Sequence, residues 1–408
     1  MRKANLEQRT VLAIPDRPVA GARRRPRSRS RSSEMEKPED RPTAKTAIAK
    51  QMMKRRRALK RQKRDVKRLR AAVGERGVLE DKSLSAETRK DYSRRLERFW
   101  DFVARFSLPT TRLEDLDVAL VDHSDWLYLD GDSCDAGTKL KSAIEAFHVE
   151  YLRLGRLHLP RFNRTLKGWR KAAPTRVRKV LPEEPMYAVC GALLYGKKRD
   201  MALLTVLDYS AYLRPSEGLG LLAVDVVPEV AASSSRMNYV AVILAPIERE
   251  VSTKTGFYDE SVVLDSVREP FLGPLLVELA ARRRQEAGGD ECARIWDFTP
   301  SAYLTAFKSA AQQLKLEKLV ESPYQCRRGG PSRDRLMKLR TLAEIKKRGR
   351  WATDSSVRIY EKAGRTQQTL HGVPESLIKY GNDVRMNFAR YSRDGTCPRP
   401  PLPRKGSV

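Results

Sequence analysis

The chain has 408 residues, a formal net charge of +30 and a pI near 10.1. That length allows two or three domains with a full-sized core, and a charge of that sign and size predicts polyanionic partners, with nucleic acid ahead of acidic membrane surfaces. The longest clean apolar run, 239–244, is too short to span a bilayer, and the first residues lack the apolar core of a signal peptide. The five scattered cysteines and four histidines show neither disulfide nor zinc-ligand spacing, so we expect an intracellular protein with no membrane span, no metal and no cofactor.

A basic arm is predicted over 1–80, where 26 Lys and Arg face 9 Asp and Glu. Its first part is poor in apolar residues and is predicted to be disordered, whereas 45–70 is rich in Ala, Lys, Arg and Met and could form a basic helix along a phosphate backbone. A solvated tail and a DNA-binding arm both fit this composition. Such runs also serve as nuclear-localisation signals, so we expect a nuclear location if the host is eukaryotic.

A small all-α domain is predicted over 82–175. Ser85 is a favourable N-cap, and large apolar residues follow it at steps of three and four: Tyr92, Leu96, Phe99, Trp100, Val103 and Phe106. Further helices are predicted at 115–129, 136–155 and 163–173. The last of these helices and the basic stretch after it carry five cations that we expect near DNA phosphates: Lys167, Arg170, Arg176, Arg178 and Lys179.

A second domain is predicted over 180–386, mainly α with a small antiparallel β-sheet. Short β-branched runs predict its strands at 222–227, 239–244 and 261–264. Periodic apolar residues predict its helices at 185–212, 270–286, 300–314, 333–347, 355–367 and 375–385. Lys254 is expected on the hairpin between the second and third strands. The proline-rich tail, 387–408, is predicted to be disordered.

One turn of this domain carries a distinctive sequence, Leu213-Arg214-Pro215-Ser216-Glu217. Pro215 suits the first position of a helix, because its φ is fixed and its missing N–H is not needed there. Arg214 is then expected beside unpaired backbone N–H groups, where its guanidinium and the positive end of the helix dipole favour a phosphate oxygen. Glu217, one turn on, can hold the arginine in place. Taken alone, Arg-x-x-Glu is an ordinary helical salt bridge.

Four further pieces follow Arg214 in order: Lys254, the run Tyr324-Gln325-Cys326-Arg327, the turn Gly349-Arg350-Trp351, and Tyr360 nine residues after Trp351. With these boxes the sequence resembles the tyrosine recombinases, also called the phage integrase family, over about 82–385. The family's first box, Leu-Arg-x-Ser-Glu-x-x-x-Leu, matches the segment that begins at Leu213. The second, His-x-x-Arg, matches with Tyr324 in place of histidine. The third, Gly-x-His/Trp, matches at Trp351, although Arg350 could take that role instead.

The resemblance implies a core-binding (SAM-like) domain over 82–175 and a catalytic domain over 180–386. It implies DNA strand cleavage and rejoining through a 3′-phosphotyrosyl intermediate, as in site-specific recombination or DNA integration by a mobile element. The implied partner is double-stranded DNA, and the implied assembly is a homotetramer on paired sites.

The residue types suit this chemistry. Attack on a phosphodiester adds negative charge in the transition state, so Arg214 and Arg327 on the non-bridging oxygens would stabilise it more than the ground state. The same guanidiniums are expected to favour the phenolate of Tyr360, the nucleophile. Lys254 is expected to protonate the departing 5′ oxygen.

Departures from the family pattern leave alternatives open. Tyr324 can still donate a hydrogen bond to a phosphate oxygen, but Pro331 is expected to interrupt the helix that follows the second box. Both features fit a second hypothesis, a catalytically decayed DNA-binding protein of the same fold. A third hypothesis is a relaxing topoisomerase of type IB chemistry. Tyr360 taken alone is more typical of core packing, and Trp351 is expected both to pack and to donate a hydrogen bond. Tyr380 is a rival nucleophile that lacks the upstream Gly-Arg-Trp spacing.

Overall fold

The computed structural model describes residues 83–152, 155–174, 179–230, 239–249, 253, 256–358, 360 and 363–401. These residues fall into two compact units, one ending at 174 and the other starting at 179. The basic arm predicted over 1–80 lies outside the described residues. Within the described ranges, no helix is both long and apolar enough to cross a membrane.

The first unit consists of helices that each bury one apolar face: α1 (Ala86–Phe106), α2 (Leu113–Leu129), α3 (Cys134–Phe147) and α4 (Pro160–Ala172). As predicted, Ser85 caps α1, and its hydroxyl accepts the Thr88 N–H at 3.1 Å. The Asp117 carboxylate of α2 accepts the N–H groups of Arg161 and Phe162, both at 2.9 Å, and so fixes the start of α4. The third helix is shorter than predicted, and a single 3-10 turn, Val149–Tyr151, follows it.

The second unit is mainly helical with one small sheet, as predicted. Its helices are α5 (Glu183–Tyr195), α6 (Arg199–Ser210), α7 (Pro215–Leu219), α8 (Leu272–Glu286), α9 (Pro300–Gln313), α10 (Cys326–Leu336), α11 (Leu342–Arg348), α12 (Asp354–Arg358), α13 (Ala363–His371) and α14 (Glu375–Asp394). Strands β1 (Val226–Val227), β2 (Ala241–Leu244) and β3 (Glu260–Val263) pair antiparallel in that order. The core joins the long helices to the inner face of the sheet, with fully buried side chains that include Tyr187, Leu203, Val242, Leu276, Phe307 and Phe388.

The strand predicted at 222–227 is mostly wrong. Residues Ala223–Asp225 form a 3-10 turn, and only Val226–Val227 pair with β2. The Asp225 carboxylate accepts the Leu222 N–H at 2.8 Å, and the N–H groups of Ala223 and Val224 donate to the carbonyls of Ala293 and Glu291 at 2.8 and 3.0 Å, so these backbone groups do not pair with β2.

The helix predicted at 333–347 is also wrong. Helix α10 begins seven residues earlier and ends at Leu336, and α11 begins only at Leu342. The interruption expected at Pro331 is absent, since this proline lies inside α10. A proline there forfeits one helical hydrogen bond, to the Arg327 carbonyl, and the burial of most of α10 outweighs that loss.

The last two predicted elements differ as well. The helix predicted at 355–367 is divided into α12 and α13, and Tyr360 lies between them, its N–H donating to the Val357 carbonyl at 2.9 Å. The disordered tail predicted over 387–408 is wrong up to residue 401. Helix α14 continues to Asp394, and Cys397 is buried, because Tyr391 and Cys397 supply apolar surface that the periodic pattern of 375–385 does not reveal. Residues 402–408 lie outside the described residues.

Candidate active site

Arg214 is held by a tight turn between α6 and α7. Tyr212 is fully buried with φ of 54°, a left-handed conformation that reverses the chain before Arg214. Pro215 begins α7, as predicted. The Glu217 carboxylate accepts both the Arg214 backbone N–H, at 2.8 Å, and the Arg214 guanidinium. Glu217 therefore orients the arginine, as predicted, and pairs with its backbone N–H as well.

Arg327 is fixed more tightly than Arg214. Its side chain is 2% exposed, and its guanidinium donates to the carbonyl of Tyr212 and, at 2.7 Å, to that of Gly349. Helix α10 can lie this close to α6 because it has no side chain at Gly330. A Cβ there would stand 1.9 Å from the Tyr209 carbonyl oxygen. The glycine thus sets the depth at which Arg327 enters the site.

The turn Gly349-Arg350-Trp351 folds the indole back toward Arg327. Arg350 has φ of 55°, and a Cβ at Gly349 would lie 1.8 Å from the Trp351 ring. The Arg327 guanidinium carbon is 5.0 Å from the Trp351 ring centroid, within range of a cation–π contact. The Trp351 and Tyr360 rings have centroids 4.8 Å apart. Segments that are far apart in sequence therefore meet at Trp351.

Tyr360 is 5% exposed and packs in a small cluster with Tyr212, Ile345 and Val357. Burial raises the pKa of the Tyr360 phenol to about 12, although the charges of Arg327 and others nearby act to lower it. The guanidiniums lower the Tyr360 pKa, as expected. The prediction that they favour the phenolate is nevertheless wrong, because burial raises the pKa by more than the charges lower it. In the DNA-free protein the phenol is neutral at physiological pH.

Glu217 is the centre of the charge cluster. Besides Arg214, it accepts from Arg350 at 2.5 Å, and it lies 3.7 Å from Arg327. Burial opposes its ionisation, but the charge of Arg350, the Arg214 N–H and the other guanidiniums outweigh burial and lower the Glu217 pKa. Burial, followed by the charge of Arg214, lowers the pKa of Arg327 to about 10, so this guanidinium stays protonated near neutral pH. Glu260, at the start of β3, lies 3.3 Å from Arg350 and completes the cluster.

Tyr324 lies at the rim of the site. It is 38% exposed on the 3-10 turn Pro323–Gln325, and the guanidinium carbon of Arg328 lies 5.6 Å from its ring centroid. Its phenol interacts electrostatically with Tyr360 and acts to raise the Tyr360 pKa. Tyr324 is thus placed where a phenol can reach a ligand that enters from solvent.

The rival nucleophile, Tyr380, belongs to the main core of the second unit and not to the small cluster that contains Tyr360. It is 7% exposed, and its hydroxyl donates to the Pro398 carbonyl at 3.0 Å and lies 3.6 Å from the Cys397 sulfur. Burial raises the pKa of its phenol far above the usual range.

The remaining predicted site residues are six cations. Lys254, Arg176 and Arg178 lie outside the described residues. Lys179 is exposed, lies 3.6 Å from the Glu321 carboxylate and donates to a backbone carbonyl of the same unit. In the first unit, α4 presents its two predicted cations to solvent: Lys167 and Arg170.

Sequence reasoning missed Tyr212 and Glu260. Tyr212 supplies the carbonyl that receives Arg327, and its hydroxyl donates to Asp334 of α10. Its position directly before the Leu-Arg box was a usable signal, whereas nothing in the sequence distinguishes Glu260 from other surface glutamates. In the part of the chain that the structure describes, no group of three or more His, Cys, Asp or Glu is placed to hold a metal ion.

No family model matches the chain, and no curated protein matches it. Among solved structures, the crystal structure of XerA recombinase is similar to this chain with a TM-score of 0.31 and 13% sequence identity, over 71% of this chain and 94% of that chain. A likeness at this level carries no functional argument. Function must therefore be argued from the side-chain cluster.

Proposed function

We propose that the protein cleaves and rejoins duplex DNA through Tyr360. The observation that carries this proposal is the series of contacts in which Tyr360 packs on Trp351 and Trp351 on Arg327, with Arg214 in the same charge cluster. A phenol beside two guanidiniums supplies a nucleophile and charge stabilisation, the two requirements for displacement at a phosphodiester.

In the forward step, the Tyr360 oxygen forms a bond to phosphorus and the bond from phosphorus to the 5′ oxygen breaks. The phenol releases its proton to solvent and the departing 5′ oxygen gains one, which leaves a 3′-phosphotyrosyl ester and a free 5′ hydroxyl. We propose Lys254 as the donor of that second proton, because its place in the sequence falls between the paired strands β2 and β3. Attack by a 5′ hydroxyl on the ester reverses the step and rejoins the strand.

The arginines act on the charge that develops during this step. Negative charge on the phosphoryl oxygens grows as the phenolate attacks, and both guanidiniums are held by backbone or carboxylate partners before the substrate arrives. Stabilisation of this kind needs little reorganisation at the moment of reaction. The neutral phenol of the DNA-free state implies that substrate binding must also help to deprotonate Tyr360.

Double-stranded DNA is the proposed substrate, supported by the net charge of +30 and by the exposed cations of α4. From the sequence resemblance we further propose a homotetramer on paired sites, descent from a mobile element, and a nuclear location if the host is eukaryotic.

A second candidate is a DNA-binding protein of the same fold that has lost cleavage. Two observations favour it: the burial of Tyr360 with its raised pKa, and the tyrosine in place of histidine at Tyr324. The two candidates differ only in whether a covalent adduct forms.

The test uses a library of random-sequence duplexes, each carrying one nick at a fixed position. When cleavage occurs close to the nick, the short 5′-hydroxyl fragment diffuses away, rejoining is blocked, and the adduct survives SDS. We expect the wild type and Tyr380→Phe to form adducts and Tyr360→Phe to form none. Sequencing the captured DNA would also reveal the preferred site.

Each alternative result has a distinct meaning. An adduct that persists in Tyr360→Phe would place the nucleophile elsewhere. Wild-type protein that binds the library and leaves no adduct would support the non-cleaving candidate.

A further inference from the structure

Arg350 has a left-handed backbone directly after the end of helix α11. Its φ of 55° lies in the left-handed region, which glycine adopts without steric cost and arginine does not. A charged residue with this strain is also 5% exposed, so the fold holds it there against two unfavourable effects. Such positions are often tied to function.

Each end of the Arg350 guanidinium has a partner. One terminal nitrogen donates to the Glu217 carboxylate at 2.5 Å and the other to the Arg348 carbonyl at 3.1 Å. Its Nε lies 3.3 Å from the Glu260 carboxylate, as an ion pair without hydrogen-bond alignment. The side chain therefore connects the turn before Trp351 to α7 and to β3.

The two guanidiniums that hydrogen-bond Glu217 take different oxygens of its carboxylate. The Arg214 guanidinium contacts Oε1, and Arg350 contacts Oε2, which also accepts the Arg214 N–H. These contacts engage both oxygens of the Glu217 carboxylate and so fix the orientation of its plane. Without Arg350, Oε2 of Glu217 would keep only the Arg214 N–H and Arg327 at 3.7 Å, so the carboxylate could turn and the Arg214 guanidinium would lose its fixed partner.

We propose that Arg350 is a positioning residue: through Glu217 it holds Arg214, and through its own turn it holds Trp351 against Tyr360. This inference rests on the proposed cleavage function. Because Arg350 is buried and its nitrogens are engaged, it acts on the chemical step and not on DNA affinity.

The test compares Arg350→Gly and Arg350→Lys with a matched control, Lys338→Gly. Lys338 has the same left-handed backbone, with φ of 54°, but is exposed. Glycine suits that backbone at both positions. At saturating nicked DNA we expect Arg350→Gly to form the Tyr360 adduct about 100-fold more slowly than the wild type, the size of effect that a small misplacement of catalytic groups produces. We expect DNA affinity to be unchanged, Arg350→Lys to recover part of the rate, and millimolar methylguanidine to restore part of it to Arg350→Gly.

Three results would overturn the proposal: a wild-type rate in Arg350→Gly, an equal loss in Lys338→Gly, or a loss confined to DNA affinity. If Arg350→Gly fails to fold, Arg350→Lys decides, because a lysine cannot bridge both carboxylates and a wild-type rate in it would contradict the inference.

A wild type that forms no adduct would refute the cleavage function by itself. The positioning role is then decided by a crystal structure of Arg350→Gly. We expect the Arg214 guanidinium to leave Glu217 in that structure, and an unchanged pair would overturn the inference.

Discussion

His123 makes the stability of the helical unit sensitive to mild acid. The imidazole is 2% exposed, neither ring nitrogen has a hydrogen-bond partner, and three aromatic rings surround it within 6.0 Å between centroids: Phe99, Phe102 and Trp126. Burial, followed by the charge of Arg98, lowers the pKa of His123 to about 4 from 6.5. A proton therefore binds the unfolded chain more readily than the folded one between these two values.

The sign and size of the effect follow from proton linkage. The contribution of neutral His123 to the free energy of unfolding is fully present above the pKa of His123 in the unfolded chain. It is lost as the pH drops from about 6.5 toward 4. Between pH 7.5 and pH 5, this one residue should reduce the free energy of unfolding by about 2 kcal/mol. A loss of that size is a substantial part of the stability of a small domain.

The assay is urea unfolding of the full chain at both pH values, followed by tryptophan fluorescence, for the wild type and His123→Phe. The substitution alters packing at both pH values equally, so the comparison concerns only the pH dependence. We expect the wild type to lose about 2 kcal/mol more than His123→Phe on acidification. Equal losses in the two proteins would refute the reasoning, as would an NMR titration that places the His123 pKa near 6.5.

Three further predictions concern the second unit. Gly330→Ala should destabilise the protein by at least about 1–3 kcal/mol in urea unfolding, because the new Cβ would stand 1.9 Å from a carbonyl oxygen of α6; an unchanged midpoint would contradict that close approach. Glu269→Ala should cost about 3 kcal/mol, since it removes a buried carboxylate from Arg333, whereas Glu375→Ala, in an exposed pair, should change the midpoint little. If the phenolate of Tyr360 attacks, adduct formation at subsaturating DNA should accelerate about tenfold per pH unit below the pKa of about 12 of the DNA-free protein, and a flat profile from pH 7 to 9 would show that ionisation is not limiting.

The sequence predicted the elements whose signals are local. Ser85 as an N-cap and Pro215 at a helix start need only their near neighbours, and the structure has both as predicted. The path of the chain through Pro331 could not be predicted in this way, because it depends on how deeply α10 packs against α6. The strand at 222–227 failed for a similar reason, because the N–H groups of Ala223 and Val224 donate to carbonyls about 70 residues away in the chain, at Ala293 and Glu291.

In the candidate site, the sequence predicted which residues meet but not the ionisation state of Tyr360. The order of the boxes indicated that Arg214, Arg327, Trp351 and Tyr360 would converge, and the structure brings these four together. The ionisation of Tyr360 depends on burial against charge, and spacing along a sequence carries no measure of burial. The sequence did not indicate a role for Glu260, because its partner, Arg350, lies 90 residues away in the chain.

The packed C-terminal segment bears on how the polypeptide can be trimmed. Cutting at residue 387, where the prolines suggest a dispensable end, would remove the last turns of α14 and the Cys397 thiol that donates to the Gly191 carbonyl at 3.5 Å. Such a shortened protein would expose one side of α5 and would be prone to aggregate. A cut after residue 401 would leave that side covered.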